Sequence, residues 1–174
     1  MMMADAIPPT EDGPDIDRSI DEVLSAVDDA RREMTRLDEA ASPAERVGID
    51  DELAEHLAAI RLQISVLRLA RDIDVATDVE IVAAATEGVA TAAGTWLGDP
   101  VIQERLVRMR LRDRAGTVTR RVDGAVGELL QVAADLRAHR ETTEVARAQA
   151  IARRAVQATR ACLEDAVLSV RHAG

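Results

Sequence analysis

The chain has 174 residues, 32 of them acidic and 22 basic, for a net charge of −10; the size fits one domain, and the acidity argues against general nucleic-acid binding. One Trp and no Phe or Tyr leave a core of Leu, Ile, Val, Ala and Met, which suits closely packed helices and disfavours an aromatic-lined ligand pocket or a base-stacking platform. The single cysteine, Cys162, excludes an intramolecular disulfide and a cysteine metal cluster.

Residues 1–14 place Pro8, Pro9, Gly13 and Pro14 among acids and read as a disordered leader. Met1-Met2-Met3 runs into acidic sequence, unlike a basic-then-apolar signal peptide. No apolar run nears the ~20 residues of a membrane span, so a cytoplasmic location is the default expectation. A helix is predicted over about 15–41. There Ile16, Ile20, Val23, Val27, Ala30, Met34, Leu37 and Ala41 alternate spacings of four and three, a sustained heptad seam. The stretch ASPAERVG interrupts it, with Ser42 as a cap and Pro43 at a first helical position.

The next seam is Leu53, Leu57, Ile60, Ile64, Leu67 and Arg71. It is out of phase with Val75, Val79, Val82, Thr86, Val89, Ala93 and Trp96. With no Gly or Pro at the change of phase, the pattern predicts one helix over 50–97 with a local change of supercoil. The alternative is a break within RDIDVATDVE, where Thr77 and Glu80 have capping-box spacing. The stretch GTWLGDP reads as an interhelical turn. Gly98 is placed as a C-terminal cap, Asp99 as the next N-cap and Pro100 at the first helical position, while Trp96 closes the preceding seam.

A helix over 99–138 starts with Ile102, Leu106 and Met109. It passes Gly116, Gly124 and Gly127, which lower helix propensity, and carries Val118, Val122, Ala125, Leu129, Val132 and Leu136. Polar AHRETTE marks a break. A last helix over 144–172 carries Ala148, Ala152, Val156, Thr159, Leu163, Ala166 and Val170. With no strand pattern anywhere, the fold class is all-α: an elongated antiparallel helical bundle or coiled coil of long heptad-patterned helices, occupying 15–172 as one domain.

Charge is unevenly placed. Residues 1–60 hold 17 acids and 5 Arg, whereas residues 100–121 hold 2 acids and 7 Arg; lysine is absent throughout. The basic segment RLVRMRLRDRAGTVTRR supplies Arg105, Arg108, Arg110, Arg112, Arg114, Arg120 and Arg121 as candidate interaction residues. They can serve as a solvated face, or contact phosphates or another anionic surface. They can also pair with the acidic helix bearing Asp28, Asp29, Glu33, Asp38 and Glu39, within the bundle or across a dimer.

Catalytic chemistry has little footing. Glu52 and His56 are four apart, as are Asp135 and His139, and two antiparallel helices could bring them into a carboxylate–imidazole metal site. That spacing differs from the Glu-x-x-His pairs of dimetal bundles, so no metal and no cofactor is assigned. Cys162 has no neighbouring base, and no phosphate-binding glycine loop or nucleotide fingerprint occurs.

Trp96-Leu97-Gly98 resembles the Trp-x-Gly turn of the small helical-hairpin proteins secreted by type VII systems. The resemblance covers three positions, and the chain has no Tyr for their C-terminal Tyr-x-x-x-Asp/Glu signal, so no family is assigned. The sequence thus predicts a non-enzymatic structural, adaptor or assembly protein working through protein–protein contacts. Self-association, with a dimer as one form, and binding to another protein are expected. The alternatives are a regulator contacting nucleic acid through 105–121 and a small-molecule-binding or enzymatic bundle.

Overall fold

A computed structural model of the chain describes residues 43–111 and 114–172, together with Asp28 and Arg32, both helical. The chain divides into two units, Met1–Glu39 and Ala40–Gly174. The leader 1–14 and, apart from Asp28 and Arg32, the acidic helix 15–41 fall outside the described residues.

The second unit is an all-α bundle of five packed helices: α1 Pro43–Val75, α2 Val79–Gly98, α3 Pro100–Arg110, α4 Ala115–Ala138 and α5 Val145–Arg171. Helices α1, α2, α4 and α5 form a closed ring in which each packs on the next and α5 returns to α1. Side-chain pairs show that neighbours run antiparallel. Gly88 of α2 lies against Leu69 of α1, Arg137 late in α4 reaches Glu80 early in α2, and Arg153 early in α5 reaches Asp74 late in α1. The short α3 touches all four long helices at the end where α2 stops and α4 begins.

The helix predicted over 50–97 is two helices, broken at Ala76–Asp78. No Gly or Pro is needed, because Asp78 does the capping. Its backbone is extended (φ −137°, ψ 147°), and its carboxylate accepts the amide N–H of Glu80 at 2.9 Å. The cap is thus Asp78 and not Thr77. The other side of the break is closed from α5, where the Gln149 Nε2 lies 3.1, 3.1 and 3.0 Å from the carbonyl oxygens of Ile73, Asp74 and Ala76. The Ile73 carbonyl also accepts from the Ala76 amide at 3.4 Å, and the two N–H groups of the Gln149 side chain are shared among the three oxygens where the helical ladder stops. Replacing Gln149 with alanine is expected to cost about 1–2 kcal/mol in urea unfolding, because it strands carbonyls at a part-buried helix end.

The helix predicted over 99–138 is also two, α3 and α4. Between the buried Met109 and the buried Ala115 the sequence is RLRDR. That run presents charge at the positions where an uninterrupted helix would need core residues. Arg112 falls in this connection, outside the described residues.

The core stripe of α1 also differs from the predicted seam. Ala59, Leu62, Val66 and Ile73, with Leu69 partly buried, join the common core. Leu57 and Ile64 of the predicted seam are buried outside that cluster. Two interleaved rows at spacings of three and four therefore share α1, and the small side chain of Ala59 made the core row the weaker signal.

Helix α2 is the most enclosed, with ten of its 20 residues buried, among them Ala83, Ala90 and Ala93. Facing it are Ala133 of α4 and Ala148 and Ala152 of α5 in the same cluster, all fully buried. Short side chains let these helices approach closely, and Leu129, Val122, Val82 and Val89 fill the space between them. One end of the α2–α4 pair is tied by Arg137. Its Nε donates to Glu80 at 2.8 Å, and its two terminal nitrogens donate to the carboxylate of Glu87. This hydrogen bonding holds the Glu87 carboxyl below its ordinary value and raises the Arg137 guanidinium.

Gly124 and Gly127 lie on the exposed face of α4, and a Cβ at either position would meet nothing within 4 Å. Substituting each with alanine should therefore stabilise the bundle by about 0.5–1 kcal/mol, through lower chain entropy and higher helix propensity. A thermal melt of Gly124→Ala/Gly127→Ala checks this as a rise in Tm.

Candidate interaction surface at the short helix

The corner formed by Trp96, Gly98, Asp99 and Pro100 sets α3 in place. Gly98 is the last residue of α2 and does not adopt a left-handed conformation, so it is not the glycine cap that the sequence suggests. Asp99 instead serves both helices. Its amide N–H donates to the Trp96 carbonyl at 3.2 Å, closing α2. Its carboxylate accepts from Val101 and Ile102 at 2.9 and 3.4 Å, opening α3, with Pro100 at the first position. The side-chain amide of Gln103 also donates to the Leu97 carbonyl. Trp96 is only 4% exposed and packs in the core. The Trp-x-Gly residues therefore end α2 at its corner with α3; the antiparallel hairpin of α1 and α2 turns elsewhere, at Ala76–Asp78.

Helix α3 has a buried row of Ile102, Leu106 and Met109. Its outer side exposes Gln103, Val107 and Arg110, and Leu111 follows one turn after Val107. Val107 is 56% exposed and Leu111 93%. Arg108 and Arg110 in the last turn favour the helix by opposing its dipole.

The seven arginines separate into distinct environments. The Nε of Arg105 lies 3.1 Å from a carboxylate oxygen of Glu55 on α1, and both side chains are largely buried, at 19% and 7% exposed. Neither Arg105 Nε nor the second Glu55 oxygen completes a hydrogen bond among the described residues. Arg108 pairs with Glu104 one turn earlier at 2.5 Å. Arg121 pairs with Asp165 of α5, and its backbone carbonyl accepts from the Cys162 thiol at 3.4 Å. Burial pushes that thiol's pKa up, which disfavours the reactive thiolate. Arg110, Arg114 and Arg120 are exposed and have no carboxylate partner among the described residues; Arg120 Nε donates to the Gly116 carbonyl at 3.0 Å. Of the acidic residues considered as partners for this segment, only Asp28 is described.

Between α3 and α4 the surface opens into a groove of about 700 Å³, with Leu106 and Ala115 at its base and Arg110 and Arg120 on its two walls. Among the described residues its lining contains no carboxylate.

Of the metal pairing considered from the sequence, the helices do not bring His56 to Asp135 and His139, and the side chain of Glu52 lies outside the described residues. His56 lies in the first half of α1, whereas Asp135 and His139 lie at the end of α4, which runs in the same direction as α1. Among the described residues no group of three or more His, Cys, Asp or Glu is placed to hold a metal ion, and no helix is long and apolar enough to cross a membrane.

Glu55 and Gln149 were missed in the sequence. Each acts on a helix distant in the chain, Glu55 on Arg105 and Gln149 on the end of α1, so no local spacing announces them.

The class defined by these features is an all-α five-helix bundle with a basic, partly apolar corner. No protein-family model, curated protein or solved structure matches the chain.

Proposed function

We propose that this is a non-enzymatic adaptor or assembly protein of the cytoplasm that works through protein–protein contacts, with the α3–α4 corner as its contact surface. The observation that carries this reading is the exposure of Val107 and Leu111 beside Arg110, Arg114 and Arg120. Apolar side chains held out by a short, well-anchored helix cost solvation until a partner covers them. Arginine beside such a ridge is favoured at protein interfaces, where its planar head packs and forms hydrogen bonds together.

Self-association by heptad-type helix pairing belongs to the same reading, with a dimer as its simplest form. Light scattering on the full chain tests it. A mass above that of one chain supports it, and a monomer at every concentration and salt level removes it. A second reading, contact with nucleic acid, draws on the three arginines that have no carboxylate partner among the described residues. It requires an affinity that falls steeply with salt and is lost in Arg110→Glu/Arg114→Glu/Arg120→Glu. Arg105 is unsuited to such reversal, because a carboxylate there would face the buried Glu55.

A further inference from the structure

We propose that the groove between α3 and α4 is the docking site for an acidic amphipathic helix of a partner protein. This rests on the protein-contact reading above and specifies the partner's chemistry.

The first argument is the arrangement of charge. Arg110 stands on the α3 wall and Arg120 on the α4 wall, with an apolar base between them. A helix laid in such a groove would put one apolar row downward and carboxylates on both flanks. Each flank then meets one guanidinium, whose planar fork matches a carboxylate in two hydrogen bonds. Among the described residues no acid in the groove lining competes for those positions.

The second argument is the apolar lip. Val107 and Leu111 extend the apolar surface along the outside of α3, one helical turn apart. An amphipathic helix covers such a ridge, whereas a phosphate backbone would use the arginines and leave the ridge in water. The opposite wall is low, since nothing lies within 4 Å of where a Cβ on Gly116 would stand. The third argument is exclusion. Two copies of this corner placed face to face would bring Arg110, Arg114 and Arg120 against their own kind, so the surface disfavours pairing with itself.

The test uses the full chain and a fluorescent synthetic helical peptide with Leu at i, i+4, i+7 and i+11 and Glu on both flanks. The control peptide carries Gln for every Glu. Anisotropy at low salt is expected to show binding of the Glu peptide, at least about tenfold tighter than the Gln peptide. Arg110→Glu/Arg120→Glu and, separately, Val107→Ser/Leu111→Ser should each weaken binding by about tenfold or more while circular dichroism shows the helical fold retained at the assay temperature. Equal affinity for the two peptides overturns the proposal, as does no binding. Tighter binding of a duplex oligonucleotide at the same two arginines also overturns it. So does a full-chain dimer that Arg110→Glu/Arg120→Glu converts to monomer, which assigns the groove to a second copy. If peptide binding fails while light scattering still shows self-association unaffected by those substitutions, the groove proposal falls and the broader reading stands.

Discussion

Replacing Trp96 with alanine is expected to lower the stability of the bundle by about 3–5 kcal/mol, a large share of the roughly 5–15 kcal/mol typical of a domain. The ring is 4% exposed and packs in the common core where α2 ends. The core cluster that the ring joins is otherwise aliphatic, and the adjoining turn is fixed by Asp99, so the site collapses poorly around a cavity. Trp96→Phe separates packing from hydrogen bonding. The indole N–H is buried without a partner among the described residues, so phenylalanine forfeits volume and loses no bond seen there. A cost below about 1.5 kcal/mol is expected for that variant. Urea unfolding followed by circular dichroism measures both. A Trp96→Ala variant as stable as the parent would show that the ring is not part of the core.

The second large effect is expected at Glu55. Its side chain is 7% exposed and faces Arg105 at 3.1 Å, so removing either charge leaves the other buried and unpaired. Glu55→Ala should cost about 3 kcal/mol and Arg105→Ala a similar amount, while the two losses do not add. The double variant Glu55→Met/Arg105→Met should recover most of the loss, because well-packed apolar chains often replace a buried pair without penalty. Trp96 is the only tryptophan, and its emission follows unfolding in all of these variants. Additive losses in the cycle would mean that the two residues do not act as a pair. The pair also helps fix where α3 lies, since it is an ionic tie between α3 and α1.

The helical class was legible because the apolar rows of α4 and α5 repeat at three and four residues without interruption. Their buried positions, from Val118 to Leu136 and from Ala148 to Val170, lie on those rows except for Ala133, which is buried in place of the predicted Val132, and Val167, which joins the predicted row of α5. The breaks were less legible for a physical reason. Asp78 caps α2 through a contact only two residues ahead, and the matching closure of α1 comes from Gln149, more than 70 residues away. The α3–α4 break follows from charge at core positions, a signal that an Arg-rich stretch also gives when it is merely solvated. The basic segment was legible as a composition. Its division into engaged and outward-facing arginines was not, because Glu55 and Asp165 select their partners through the fold.

Asp99 has a consequence for how this chain tolerates insertions. A single residue separates α2 from α3, and it caps both. The connection therefore has no slack to absorb a change in length. One residue inserted between Pro100 and Ile102 would turn the rest of α3 by about 100° relative to its cap. Ile102, Leu106 and Met109 would swing away from the core, and the side bearing Val107 and Arg110 would rotate with them. The chemistry shown to solvent at this corner is thus written as much in the spacing of the chain as in the identity of its side chains.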